Sequence, residues 1–364
     1  MITALLVLAI LVLLIVTHEL GHFVAAKFFG VRVDEFGVGY PPRAFTFGTW
    51  GGTEYTLNWI PFGGFVRLYG EDADARGKGS FIEAARWKQA TILVAGVAMN
   101  ALMAWLLFSV SLYIGIPQVI DTGTTAPPRD ARLEVSDVVA GSPASAAGIV
   151  AGDTIVSMAD QDGIAPVMLT PESVSDYVKV RGGKQIMLEY LHADATSTVT
   201  VIPANAVIPG SAATPALGVG LVEVSKVAFP WRQALLHGIG NTGYAFKTIG
   251  SSLWQLLAGV SRGTADLQDV VGPVGLFSVV GDALQNGPGT VLALAGFIAV
   301  NLAIINLIPI PALDGGRLLV VAIEAVTRRA APKLFIQVLN TVGIALIIIL
   351  MITVTYHDIA RLLA

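Results

Sequence analysis

Cysteine is absent from the 364 residues of this chain. The absence excludes disulfide bonds and thiolate metal ligands, so any bound transition metal must be held by histidine or by carboxylates. Histidine is also scarce, with 5 in the chain. Two of the five, His18 and His22, lie close together, so a histidine-based metal site is confined to very few positions.

Charge is the second shortage. Charged residues make up 13% of the sequence and hydrophobic residues 54%, whereas soluble domains average about 25% charged residues. The net charge of −4 is small, and no basic stripe indicates a nucleic-acid partner. This composition predicts a membrane protein that contacts lipids and other membrane proteins, with room for one soluble module.

Basic residues are also missing from the amino-terminal segment, because no lysine or arginine precedes Lys27. A cleaved signal peptide would begin with basic residues and end in a cleavage site of small residues. Residues 2–26 have neither feature, and they are apolar enough to span a bilayer, which takes about 20 residues. We therefore expect residues 1–30 to form a retained first transmembrane helix.

This first span contains the sequence His-Glu-Leu-Gly-His, which begins at His18. On a helix, residues four apart share one face, so His18 and His22 can both direct a nitrogen at one metal ion. Glu19 lies beside them, where a carboxylate can take a proton from water. This is the His-Glu-x-x-His arrangement of zinc hydrolases. The alternative is a buried polar patch, but ionisable groups within a span are costly and usually functional.

Residues 31–88 alternate polar and apolar side chains over short runs, with turn residues at Pro41-Pro42 and Gly51-Gly52. The pattern predicts a membrane-associated β-hairpin region followed by a cytoplasmic loop. Within it, Gly63 and Gly64 remove side chains where another backbone can approach. With Phe65 and Val66 they are candidates for pairing with an extended substrate, although the two glycines could also serve only as a turn.

The remaining segments complete the predicted architecture. Residues 89–117 form a second span whose Asn100 we interpret as a helix–helix contact. Residues 132–225 look like a PDZ domain, and residues 229–289 form an amphipathic helical region at the membrane surface. A third span with an Asp-Gly motif covers residues 290–330, and a fourth covers residues 332–356. The fold class is an α-helical membrane protein of about four transmembrane helices, with a membrane-associated β-hairpin and one inserted PDZ-like α+β domain.

The end of the third span is interrupted at Pro309 and Pro311, which cannot continue a helix. Broken backbone at membrane depth is tolerated only inside protein or beside a water-filled cavity, and a simple kink would not explain Asp314. Catalytic zinc typically takes three protein ligands, and no third histidine is suitably placed, so Asp314 is the best candidate. Asn306 can hydrogen-bond substrate or a developing oxyanion.

Lysine and arginine also predict the orientation of the spans. Eight of them lie from Lys27 to Lys88, and four more, Arg317, Arg328, Arg329 and Lys333, lie between the apolar parts of the third and fourth spans. The positive-inside rule places both regions in the cytoplasm. Both termini and the PDZ-like module are then extracytoplasmic.

The motif at His18 and the run from Asn306 to Gly315 together resemble the site-2 protease family of intramembrane zinc metalloproteases. Within that family, the PDZ-containing bacterial branch of the regulator-of-sigma-E protease type is the most similar. The run from Phe62 to Val66 looks like the membrane-associated hairpin of this branch. One difference is that this chain has one PDZ-like module, where the best-known Gram-negative members have two.

The resemblance implies regulated intramembrane proteolysis in the bacterial plasma membrane. The substrates would be single-pass membrane proteins already cut by another protease, such as anti-sigma factors, and remnant signal peptides. It also implies a zinc ion held by His18, His22 and Asp314, with Glu19 as the general base. Asn306 would bind substrate, with Asn301 in support.

Two other function classes fit parts of the sequence. A proteolytically silent membrane adaptor could bind C-termini through the PDZ-like module, but the intact residues of the metal motif count against it. A metal transporter would also place histidine and aspartate in its spans. It needs no base beside the ligands, and it usually has internal repeats, which this sequence does not have.

Overall fold

The computed structural model describes residues 2–71, 77–119, 129–192, 195–205, 207, 214–262, 272–329 and 331–363. The chain divides into two compact units: unit 1 combines Met1–Tyr113 with Pro230–Ala364, and unit 2 is Ile114–Phe229. The elements follow in the order α1 (Ile2–Phe28), β1 (Val33–Trp50), β2 (Thr53–Leu68), α2 (Arg86–Ile114), β3 (Ile116–Val119), β4 (Arg129–Val138), α3 (Pro143–Ala146), β5 (Thr154–Asp160), α4 (Pro171–Lys179), β6 (Ile186–His192), β7 (Ala195–Val201), β8 (Val219–Val227), α5 (Trp231–Arg262), α6 (Pro273–Gln285), α7 (Pro288–Leu307), α8 (Asp314–Thr327) and α9 (Lys333–Leu363).

Four helices of unit 1 are long and apolar enough to cross a membrane, counting only the described residues: α1, α2, α7 and α9. Their number agrees with the four spans that the sequence predicts. Almost none of the apolar stretch of α9 is buried. Its leucine and isoleucine side chains therefore face outward, as side chains in contact with lipid do.

The core of unit 1 joins α1, α2, α5, α6 and α7. Leu14 of α1 and Phe108 of α2 are among its most buried side chains, and the small residues Ala245, Ala295 and Ala299 let the neighbouring helices approach them. Ser111 adds an interhelical hydrogen bond, because its hydroxyl donates to the carbonyl of Gly289 at 2.7 Å. This packing holds α1 and α2 together where they carry the candidate site.

Strands β1 and β2 form the predicted sheet of unit 1, and each of them reverses direction within its length. Residues 35–38 of β1 pair on one side with residues 54–57 of β2 and on the other side with residues 64–67. Val38, for example, lies opposite both Leu57 and Gly64. In the described part of the chain, no strand pairs with the outer side of residues 64–68. This segment is therefore an edge of the sheet.

The structure has both of the turns predicted in this region. Gly51 and Gly52 connect β1 to β2 with φ of +57° and +75°, values that glycine adopts without strain. Pro41 and Pro42 lie at the other predicted turn, because residues 35–38 and 45–49 run in opposite directions on the two sides of residues 54–57. Both side chains are exposed, and proline is tolerated where a strand needs no ladder hydrogen bond.

A buried carboxylate holds the bent sheet together. Glu35 accepts hydrogen bonds from Arg43 Nη2 at 3.0 Å, Thr56 Oγ1 at 2.7 Å and Arg67 Nη2 at 2.5 Å. These three partners lie on different segments of β1 and β2. Charge-assisted hydrogen bonds are stronger than neutral ones, so Glu35 fixes the path of the edge segment relative to the rest of the sheet.

Unit 2 is a six-stranded antiparallel sheet with the strand order β3-β8-β4-β5-β6-β7. Its core contains Leu133, Ile186 and Leu188 from the strands and Val174 and Tyr177 from α4. Helix α4 starts at a threonine cap, because the Thr170 side chain accepts a hydrogen bond from the N–H of Ser173. The unit has the mixed helix and sheet content that the sequence predicts for an inserted α+β module.

The region predicted as a membrane-surface helical segment, residues 229–289, contains two separate helices in its described part, α5 and α6, with residues 263–271 outside that part. Helix α5 exposes Trp231, Tyr244 and Trp254, and such amphipathic aromatic side chains are typical of the membrane interface. At the start of α6, the Asp358 carboxylate of α9 accepts hydrogen bonds from the N–H groups of Gly272 at 3.1 Å and Gly275 at 2.8 Å.

Candidate metal centre

Helix α1 places two imidazoles one above the other. Thr17, His18, Gly21 and His22 are buried along one side of this helix, as expected from the spacing of 3.6 residues per turn. The two rings lie edge to face with centroids 4.7 Å apart. The buried face of α1 therefore presents two nitrogen donors to a common point.

The carboxylate of Asp314 reaches that point because the chain turns sharply after α7. Helix α7 ends at Leu307, and α8 begins at Asp314. Between them Ala312 has a φ of +73°, which is uncommon for a residue other than glycine. A strained backbone of this kind persists where the surrounding structure over-determines it.

The two glycines after Asp314 are required by the same turn. A Cβ atom added to Gly315 would lie 2.3 Å from the Ile308 carbonyl oxygen, and one added to Gly316 would lie 2.2 Å from the Ile310 carbonyl oxygen. The first turn of α8 is thus packed directly onto the preceding loop. The Asp-Gly-Gly sequence allows this contact, and the contact directs Asp314 towards α1.

Three ligand atoms converge as a result. Asp314 Oδ2 lies 2.9 Å from His18 Nε2 and 3.2 Å from His22 Nε2, and the two nitrogens are 3.1 Å apart. Within the described residues, this is the one group of histidine and acidic side chains placed to hold a metal ion. The structure therefore brings together the three residues that the sequence suggests as ligands.

The donor set and its spacing fit zinc. His22 Nδ1 lies 2.8 Å from the Ile92 carbonyl oxygen, so this nitrogen carries the proton and Nε2 offers a lone pair. Lone pairs that face each other repel unless a cation lies between them. Tetrahedral zinc at about 2.0–2.1 Å from its ligands separates them by about 3.3 Å, close to the observed distances.

Glycine also lets the second helix approach the histidines. A Cβ atom on Gly96 of α2 would lie 2.4 Å from His22 Nε2 and 2.8 Å from His18 Cε1, and one on Gly21 would lie 2.4 Å from the Ala95 carbonyl oxygen. Small residues at such crossings are a common device in membrane helices. Gly96 lies one turn before Asn100 on α2, and its role was not predicted from the sequence.

Glu19 lies next to the cluster and contacts the edge of the sheet. The backbone N–H of Val66 donates a hydrogen bond to the Glu19 carboxylate. Gly64 also faces α1, because a Cβ atom there would lie 3.6 Å from Val16 and 3.7 Å from Glu19. The edge segment of β2 is therefore directly beside the candidate base.

The other residues suggested by the sequence lie at different distances from the cluster. Asn306 Nδ2 is 3.5 Å from His18 Nε2, which places this amide at the site. Asn301 is exposed, and five residues turn a helix by about 140°, so it faces away from Asn306. Gly63 and Phe65 contact Tyr40: its ring stacks on Phe65, and it lies 2.8 Å from a Cβ atom placed on Gly63.

The sequence also missed a role for Asn100 at the cluster. This residue of α2 is fully buried, and its Nδ2 lies 3.4 Å from His18 Nδ1. Its spacing of four from Gly96 places both on the face of α2 that meets α1. That spacing was visible in the sequence, but the partner helix was not.

Comparison with known proteins relates the chain to zinc metalloproteases. Residues 6–350 match peptidase family M50. A proposed zinc metalloprotease of Clostridium perfringens is 33% identical over 347 residues, and the match covers 95% of each protein. The zinc metalloprotease RasP of Oceanobacillus iheyensis is 26% identical over 431 residues, covering 96% of each. The solved PDZ domain of an SdrC-like protein of Listeria monocytogenes has 20% identity and a TM-score of 0.21, covering 28% of this chain and 93% of that one.

The apolar helices and the histidine-aspartate cluster are features of a membrane-embedded metalloprotease. The chain belongs to peptidase family M50, the site-2 protease family. It is a zinc metalloendopeptidase of the site-2 protease type. The resemblance found in the sequence is thereby confirmed.

Proposed function

We propose that this chain hydrolyses peptide bonds within the transmembrane segments of single-pass membrane proteins. The substrates are proteins already shortened by another protease, such as anti-sigma factors, and remnant signal peptides. One observation carries this proposal: His18 and His22 of the metal cluster lie on α1, a helix long and apolar enough to cross a membrane, and Asp314 meets them from the start of α8. A peptide bond cleaved at this cluster must itself enter the membrane.

The roles of the site residues follow from their positions. His18, His22 and Asp314 hold the zinc ion. When bound, zinc polarises the scissile carbonyl and makes water more acidic. Glu19 takes the proton from the attacking water and delivers it to the departing amine. Asn306 donates a hydrogen bond from its amide to the substrate carbonyl oxygen, where negative charge develops.

We place the site in a bacterial plasma membrane with the metal end of α1 towards the cytoplasm. His18 is nine residues before Lys27, which at 1.5 Å per residue is roughly 13 Å from that end of the helix. The lysines and arginines after α1 and between α8 and α9 favour a cytoplasmic location. Both termini and unit 2 are then extracytoplasmic.

The proposed function predicts zinc-dependent cleavage inside a transmembrane segment. We expect purified protein in bilayers to cut a single-pass substrate with a shortened ectodomain, and to lose this activity with a chelator and regain it with stoichiometric zinc. Mass spectrometry of the products locates the cut. The matched control is the same substrate with its full ectodomain, which should be cut more slowly. A zinc-loaded protein that cleaves neither substrate would support the adaptor instead.

Substrate presentation adds a second part to the proposal. A transmembrane helix hides its peptide bonds, and unwinding it in lipid leaves polar groups unpaired at several kcal/mol each. The edge formed by residues 64–68 can supply the missing partners by strand addition. It is unpaired on its outer side in the described part of the sheet, and Val66 is next to Glu19. Gly63, Gly64, Phe65 and Val66 are then the substrate-binding residues.

Crosslinking can test strand addition, because the chain has no native cysteine. We expect Phe65→Cys, in a Glu19→Gln background, to form disulfides with single cysteines at alternate positions of the substrate segment. Side chains of a paired strand alternate between two faces, and neighbours on one face lie about 5 Å apart. The measurement is the yield of crosslinked product at each successive substrate position.

The matched control is Phe45→Cys, which lies on the segment of β1 farthest from this edge and is exposed. It should crosslink weakly at every position. Yields at Phe65→Cys that repeat every three to four residues would indicate a helical substrate, and strand addition would then be wrong.

A further inference from the structure

Asn100 has an unusual environment for a residue that only joins two helices. Its side chain is completely buried between α2 and the metal cluster. In the part of the chain that the structure describes, its Oδ1 has no hydrogen-bond partner. Its Nδ2 points at His18 Nδ1 from 3.4 Å. A buried unpaired amide oxygen is costly, so this arrangement needs an explanation.

The second histidine shows which nitrogen carries the proton. His22 Nδ1 donates to the Ile92 carbonyl oxygen at 2.8 Å, and its Nε2 faces the cluster. His18 has the same arrangement, because its Nε2 lies 2.9 Å from Asp314 Oδ2. A neutral imidazole whose Nε2 is a ligand has its proton on Nδ1. The Nδ1–H of His18 therefore points at Asn100 and needs an acceptor.

An amide NH₂ cannot accept that hydrogen bond, but the oxygen of the same amide can. The two ends of an asparagine amide have nearly the same shape, so a half-turn about the last side-chain bond exchanges them without moving other atoms. After the exchange, the NH₂ group takes the place of Oδ1 and has no partner, so one end of the amide is unpaired as before. The contact with His18 changes from two opposed donors to a hydrogen bond.

We propose that Asn100 is a positioning residue of the metal centre, whose Oδ1 accepts the hydrogen bond from His18 Nδ1–H. The bond fixes the tautomer that leaves Nε2 free for zinc, and it fixes the rotation of the ring. Gly96, one turn earlier on α2, packs against both imidazoles. Helix α2 thus orients the first ligand through a hydrogen bond and a close contact. This inference rests on the proposed ligand role of His18.

The test compares two substitutions of nearly equal size by measuring zinc affinity of the full-length protein through chelator competition. Asn100→Leu fills the space but has no acceptor, and we expect zinc to bind about 10–100-fold more weakly, the usual cost of losing an outer-shell partner. Asn100→Asp keeps an oxygen acceptor, and we expect affinity at least as high as in the native chain. Cobalt absorbance provides a second signature, since its bands report ligand geometry.

Ser111→Ala separates this role from simple helix contact. Ser111 is also a buried polar residue of α2 with an interhelical hydrogen bond, but it lies three turns after Asn100, about 16 Å farther along the helix. We expect its loss to lower the melting temperature and leave zinc affinity unchanged. Asn100→Leu should instead change the affinity and the cobalt spectrum.

The outcomes distinguish this inference from the ligand assignment. If His18→Ala binds zinc normally, the ligand assignment is wrong. If His18→Ala loses zinc but Asn100→Leu binds it like the native chain, the inference about Asn100 is overturned and the ligands stand. If Asn100→Leu does not fold, Asn100→Asp decides: retained affinity supports the acceptor role, and a loss of tenfold or more contradicts it.

Discussion

Replacing Glu19 with glutamine should lower peptide-bond hydrolysis at least about 100-fold, the lower end of general-base contributions. Glutamine has nearly the shape of glutamate and can still accept the hydrogen bond that Val66 donates. It cannot take a proton from water. The three ligand atoms do not include Glu19, so zinc should stay bound. The expected result is a folded, zinc-loaded protein that is almost inactive.

The experiment needs cleavage rate and zinc content from the same preparation. Single-turnover cleavage of a shortened transmembrane substrate reports the chemical step, and metal analysis gives the zinc per chain. Glu83→Gln is the matched control, because Glu83 is an exposed carboxylate in the loop before α2. It should cleave at the native rate. A Glu19→Gln protein with comparable activity would make Glu19 a bystander, and another group would have to act as the base.

Local geometry explains how much of this site the sequence predicts. His18, Glu19 and His22 belong to one helical turn, and a fixed helical period brings them together whatever the rest of the chain does. The four apolar helices are likewise local features, because span length and composition are sufficient to recognise them. The choice of Asp314 needed a longer argument from prolines at membrane depth, and the structure places it 2.9 Å from His18.

Contacts between distant segments account for what the sequence analysis missed. The sequence indicates nothing about Gly96 and only a helix–helix contact for Asn100, because their importance depends on which face of α2 meets α1. The double pairing of residues 35–38 was also missed. Alternation and turn residues predict strands and turns, including the reversal at Pro41-Pro42, but they do not predict that residues 35–38 will pair on both sides.

The expected loss of zinc on replacing Asp314 with alanine depends on this long-range contact. Two imidazoles alone leave an incomplete site. Even an outer-shell partner contributes about 10–100-fold to metal affinity, so a direct ligand should contribute more than about 100-fold. We expect Asp314→Ala to lose most of its zinc at concentrations that saturate the native chain, and to lose proteolysis with it. Glu19→Gln, by contrast, should lose proteolysis alone.

Thermal unfolding provides a readout that does not depend on activity. A ligand that binds only the folded state at 100 times its dissociation constant stabilises that state by about 2.7 kcal/mol. Zinc should therefore raise the melting temperature of the native chain and have little effect on Asp314→Ala. Asp282→Ala, which removes an exposed carboxylate of α6, should respond like the native chain. If Asp314→Ala keeps full zinc occupancy and the same thermal shift, the third ligand is a different residue, and the contact between Asp314 and the histidines serves only to hold α8 against α1.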